Sequence, residues 1–108
     1  MRTIRPETTR WSVYVVRCRD GALYTGISTN VRRRIAEHAQ KRGKGAKFLR
    51  GRGPFRLVFQ RTIGARGLAL RVEGMIKKLP KARKGELTAR TTVVDRMVEK
   101  ARAAVPRR

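Results

Sequence analysis

The sequence holds a single cysteine, Cys18, so no internal disulfide can close and no pair of thiols can form a zinc knuckle. Cys18 is therefore expected to pack as a small apolar side chain. Aromatic residues make up only 6% of the chain, too few for extensive stacking on nucleobases. No apolar run approaches the roughly 20 residues needed to cross a bilayer, and the first ten residues lack the apolar stretch of a secretory signal. A cytoplasmic location is the expectation. The strongest deficit is in acidic residues: 7 Asp and Glu face 29 Lys and Arg, a net charge of +22. Self-repulsion on that scale opposes a compact state, which points to a polyanionic partner that neutralises it, nucleic acid first and an anionic membrane surface second.

What remains is enough to fold. The 108 residues suit one domain with one modest core and exclude a multidomain enzyme. An apolar fraction of 40% argues against disorder throughout, and no internal repeat is present.

Residues 12–17 combine β-branched and aromatic side chains, and after the turn signal Arg19-Asp20-Gly21 a second short run covers 22–25, which predicts a β-hairpin. Asn30 offers an N-cap, and Val31, Ile35 and Ala39 recur at helical spacing, which predicts a helix over about 30–41. Residues 41–56 carry seven basic side chains, four glycines and no acid, the composition of a polycationic loop. A third strand begins at Leu57-Val58-Phe59. After breaks at Gly64 and Gly67, the positions Leu68, Val72, Met75, Ile76 and Leu79 describe an amphipathic helix stopped by Pro80. Past a basic stretch at 81–85, Val94, Met97, Val98, Ala101 and Val105 share the face of a last helix before Pro106. The expected fold is a small α+β domain, a three-stranded antiparallel sheet flanked by helices in the order β-β-α-β-α plus a C-terminal helix. Residues 11–85 form the domain and 86–108 a basic helical extension, which either packs on its own domain or docks a partner; a monomer is expected.

Several polar residues stand out. Tyr14 and Tyr24 fall on adjacent strands, where a short hairpin can bring both phenols to one end; taken alone they are equally compatible with sheet packing. Arg34 and His38 lie one turn apart beside the apolar stripe of the first helix, although Arg34 also belongs to the run Arg32-Arg33-Arg34, a candidate solvated face. Glu73 is the only acidic residue between Glu37 and Glu86. It suits an ion pair with Lys77 at i+4, and it is also the hard oxygen ligand that Mg²⁺ prefers.

Taken together, Ser12-Val13-Tyr14, Tyr24-Thr25-Gly26, the segment from Gly26 to Val31 leading to Arg34 and His38, and Glu73 resemble the GIY-YIG nuclease superfamily. Gly45-Ala46-Lys47-Phe48, Arg50-Gly51-Arg52-Gly53-Pro54 and Ile76-Lys77-Lys78-Leu79-Pro80 are similar to its small single-domain bacterial branch, the YhbQ-like proteins, akin to the Slx-type structure-specific endonuclease domain. Ser12-Val13 stands where the first motif has Gly-Ile, and Thr25 where the second has Ile. The resemblance implies a Mg²⁺- or Mn²⁺-dependent endonuclease that hydrolyses phosphodiester bonds in DNA, with branched or flapped DNA and a role in repair or recombination as further implications; RNA stays compatible. Tyr14 would position or deprotonate the attacking water, Tyr24 line the site, Arg34 bind phosphate, His38 orient a tyrosine or the phosphate, and Glu73 hold the metal. Arg33, Lys44, Lys47, Arg50, Arg52, Lys77 and Lys78 are the candidate backbone contacts. The competing reading is a non-catalytic basic accessory protein. Salt dependence of binding does not separate the two, because charge drives both.

Overall fold

The computed structural model describes residues 10–39, 51–84 and 91–104. The candidate contacts Lys44, Lys47 and Arg50 lie outside the described residues, as does the side chain of His38. Strand β1 (Trp11–Arg17) is central, with β2 (Leu23–Ser28) and β3 (Arg56–Gly64) antiparallel on either side, giving the order β2-β1-β3. Helix α1 (Val31–Ala39) follows β2, and α2 (Arg66–Lys77), the short α3 (Lys81–Lys84) and α4 (Thr91–Ala104) follow β3. This is the α+β arrangement expected.

Local chemistry accounts for the hairpin. Gly21 adopts φ 88°, a conformation costly for any residue with a Cβ, and the Asp20 Oδ1 accepts the Ala22 amide at 3.0 Å. Cys18 closes the turn through its backbone and is buried. Asn30 caps α1 as expected, its Oδ1 accepting the Arg33 amide at 3.0 Å.

Strand β2 extends beyond the expected 22–25, through Gly26 to Ser28. Gly26 continues the ladder, where it serves close packing. Helix α2 likewise starts at Arg66 and absorbs Gly67 into its first turn. Gly64 ends β3 at φ 134°, a backbone conformation that favours glycine.

Strand alternation splits the interior in two. Val13 and Val15 face a larger core with Phe59, Ile63, Ala69, Val72 and Ile76, which α4 completes through Val94, Val98 and Ala101. Tyr14 and Val16 face the other way, against Val31 and the half-buried Tyr24, Ile35 and Phe55. Helices α1 and α2 therefore cover opposite faces. The apolar stripe of α4 is spent on its own domain.

Among the described residues, one buried side-chain polar atom is unsatisfied. Thr25 is 3% exposed, and its Oγ1 has no hydrogen-bond partner. An orphaned hydroxyl in such a position costs about 1–3 kcal/mol, so Thr25→Val is expected to raise stability by about 1 kcal/mol. Thermal unfolding checks this, and a lower melting temperature for the variant would refute it.

Candidate active site

Helices α1 and α2 cover opposite faces, yet both also pack against the edge strand β2. Where they meet that edge lies a cavity of about 250 Å³, lined by Trp11, Tyr14, Tyr24, Gly26, Ile27, Arg34, Arg66, Leu70, Glu73 and Lys77.

Tyr14 reaches it from the central strand. Its ring runs across β2 directly over its cross-strand partner Gly26, so closely that a Cβ on Gly26 would stand 2.6 Å from the Tyr14 hydroxyl oxygen and 2.8 Å from Cζ. Gly26 is thus the gap through which a buried tyrosine passes its hydroxyl to the far edge of the sheet. Gly26→Ala forces the ring aside, an overpacking defect of about 1–3 kcal/mol. The variant is expected to melt lower; an unchanged melting temperature would contradict the placement.

Arg34 is no solvated member of a basic run: its side chain is 15% exposed. Its Nη1 donates to Glu37 Oε1 at 2.8 Å, and the guanidinium also hydrogen-bonds Tyr14. Burial works against the Arg34 charge, but Glu37 and Tyr14 outweigh it and hold the cation more firmly than in water. Glu37, which no sequence pattern singles out, therefore aims Arg34.

Glu73 enters from α2 with its side chain 15% exposed, and Lys77 Nζ stands 3.5 Å from Glu73 Oε2. Glu73 forms the expected i+4 ion pair and, among the described residues, is the only carboxylate lining the cavity. Lys77, a candidate backbone contact, joins the lining. Arg33 is exposed and leans on Glu37 at 3.7 Å. Arg52 pairs with Asp20 at 3.0 Å beyond the hairpin, and Lys78 is exposed past the end of α2. These three stay out of the cavity.

Trp11, Arg66 and Leu70 were not legible as site residues. The guanidinium of Arg66 sits 5.4 Å from the centroid of the Trp11 ring, within cation–π range. No spacing announces this pair, because it is made by strand pairing: Trp11 lies opposite Gly64, two residues before Arg66.

Both phenols are held neutral. Burial pushes the Tyr14 phenol well above its ordinary value; Tyr24 and Glu73 add to the rise, and Arg34 opposes it without cancelling it. Tyr24 is raised as well, chiefly by burial. Above pH about 10 an unfolded chain releases these protons while the folded one keeps them, so the folded state binds more protons and stability falls as pH rises. The chain has only two tyrosines. Titration at the phenolate absorption band is therefore expected to show both ionising above the free-tyrosine value in native protein and at that value in denaturant. A native tyrosine ionising below it would refute the assignment.

The donor set bears on metal binding. Among the described residues, no group of three or more His, Cys, Asp or Glu could form a closed cage. One carboxylate in a polar cavity is nevertheless what Mg²⁺ uses, since it keeps several waters and takes further oxygens from substrate phosphates. Glu73 fits that role.

Three cations, Arg34, Arg66 and Lys77, around one carboxylate make the cavity receptive to an anion with a divalent ion beside it. Residues 10–86 match the GIY-YIG catalytic domain. The chain belongs to the GIY-YIG family. A UPF0213 protein from Cronobacter sakazakii is 53% identical over 79 residues, spanning 73% of this chain and 81% of that relative. The UPF0213 protein YhbQ of Escherichia coli is 49% identical over 81 residues, 75% of this chain and 79% of its own. A UPF0213 protein from Bacillus halodurans, solved by solution NMR, is 45% identical and covers 74% of this chain and 83% of its own, with a TM-score of 0.47. GIY-YIG membership points to nuclease chemistry and to nucleic acid as substrate. Among the described residues, no helix is long and apolar enough to cross a membrane.

Proposed function

We propose that this GIY-YIG chain is a divalent-metal-dependent endonuclease that hydrolyses phosphodiester bonds in DNA, branched or flapped forms of the kind met in repair and recombination included. One observation carries the reading: Tyr14, Tyr24, Arg34 and Glu73, drawn from four different elements, line a single cavity. A protein that bound nucleic acid through charge alone would have no use for two neutral phenols, a buried arginine and a carboxylate in one hollow.

Cleavage needs a water held in line and charge neutralised on the phosphate. Arg34, already oriented by Glu37 and Tyr14, binds a non-bridging oxygen without reorganising. Glu73 holds the metal, and Lys77, 55% exposed, is free to swing from the carboxylate to a phosphate. A bound divalent ion supplies Lewis-acid stabilisation of the phosphate and the leaving oxygen. Tyr14 acts as a neutral phenol: its oxygen accepts from Arg34, and its hydroxyl orients the attacking water. That choice between orienting and deprotonating follows from burial, which disfavours the phenolate. Tyr24 narrows the cavity around the phosphate, and His38 is assigned to orient a tyrosine or the phosphate. Arg33, Arg52 and Lys78, which lie outside the cavity, hold flanking backbone, and Lys44, Lys47 and Arg50 are assigned the same role.

The test compares wild type with Glu73→Gln on linear and branched DNA, with Mg²⁺ and with a chelator. Cleavage that needs both the metal and Glu73 is expected. Identical nicking by both proteins would leave a cationic binder contaminated by another nuclease.

A further inference from the structure

A second hollow, of about 360 Å³, opens at the hairpin end of the sheet and is lined by Arg17, Cys18, Arg19, Pro54, Phe55 and Arg56. Among the described residues, it shares no lining residue with the catalytic cavity. Three of its six lining residues are arginines, and all three are exposed.

Their placement is unfavourable for folding alone. Arg17, at the end of the central strand, lies directly opposite Arg56 on β3, and like charges in that relation destabilise a sheet. Among the described residues, no carboxylate forms an ion pair with Arg17, Arg19 or Arg56. The one acid in the turn, Asp20, is committed to Arg52 at 3.0 Å and to the Ala22 amide. The segment that carries Arg52 is fastened to the turn, since the Arg19 amide donates to the Arg52 carbonyl at 2.8 Å. Unneutralised arginines around a concavity on a fixed backbone call for an anion from outside.

We propose that Arg17, Arg19 and Arg56 form a second phosphate-binding cleft, which grips the backbone of the same nucleic acid whose scissile bond occupies the catalytic cavity. The inference rests on the nucleic-acid reading above and is independent of hydrolysis. Arg17 is three residues beyond Tyr14 on β1, about 10 Å at the extended rise per residue. That separation along the strand is well inside one helical turn of duplex, about 34–36 Å, which is the reach the proposal requires. The cleft would fix the register of the substrate over the cavity through backbone contacts that carry no sequence information.

Binding is measured in the Glu73→Gln background with a chelator present, so that loss of cleavage and loss of grip are read separately. Arg17→Gln with Arg56→Gln is compared with Arg96→Gln and Arg102→Gln, two exposed positions on α4 that carry the same change in net charge and line neither hollow. Removing two phosphate contacts is expected to flatten the dependence of log affinity on log salt by about 2, so that the loss of affinity between 50 and 200 mM salt shrinks by about tenfold. The control pair is expected to keep the wild-type slope. The cleft variant is also expected to melt no lower than wild type, because it relieves a like-charge pair. Should it melt lower, Arg19→Gln, at an exposed turn position, is expected to flatten the slope by about 1. Equal slopes for the cleft and control variants would overturn the proposal, as would an unchanged slope for Arg19→Gln. So would a cleft variant that loses binding to anionic lipid vesicles while keeping wild-type binding to DNA.

Discussion

Glu73→Gln is expected to slow divalent-ion-dependent cleavage by roughly a thousandfold or more while leaving DNA binding intact or tighter. A metal ion at a phosphoryl centre contributes several kcal/mol of transition-state stabilisation, and each 1.36 kcal/mol is about tenfold in rate. Among the described residues, Glu73 is the only carboxylate lining the cavity, so none of them there can take over the ligand role. The substitution keeps the shape of the side chain and removes one negative charge from a site that must accept phosphate. Its structural cost is small: the lost pair with Lys77 is an i+4 contact to a half-exposed lysine, worth less than about 0.5 kcal/mol. Rate, binding and melting temperature should therefore separate cleanly. Loss of all three would make Glu73 a structural residue.

Arg34→Ala is expected to cost on the order of 3 kcal/mol of transition-state stabilisation, a factor of a hundred or more in kcat, by comparison with removing one preorganised donor from an oxyanion site. The metal concentration giving half-maximal rate should stay where it is, because Glu73 is untouched. Arg34→Lys is expected to recover only part of the loss. A lysine restores the charge but not the planar fork that meets Glu37 and Tyr14 together. Full recovery by lysine would show that Arg34 contributes charge alone. The alanine variant carries a second readout: without the guanidinium, which opposes the upward shift of both phenols, Tyr14 and Tyr24 should ionise still higher.

Charge, the order of elements and the apolar stripes were legible along the chain because each is a local property. Composition sets the +22 charge and thereby the class of partner. Alternation and helical spacing set three strands and the helices, and Asn30 and Asp20-Gly21 marked a cap and a turn that the structure realises. The extent of β2 beyond residue 25 was not legible, because the purpose of Gly26 is set by a residue on another strand, the Tyr14 ring that needs its missing Cβ.

The site is a different matter. The motif tyrosines, Arg34 and Glu73 could be named from the sequence through resemblance, but that α1 and α2, on opposite faces, converge at the edge of β2 follows only from packing. Glu37 as the residue that aims Arg34, Trp11 with Arg66 at the cavity, and the opposed pair Arg17 and Arg56 all arise from contacts between segments distant in the chain or one helical turn apart. The protonation of the phenols has the same origin, since desolvation is a property of the folded interior. The amino-acid sequence by itself determined a small, strongly cationic α+β domain and the side chains available for chemistry. Only the tertiary structure decided which of them share a cavity and in what charge state, because strand register and helix packing set distances and dielectric that no one-dimensional pattern contains.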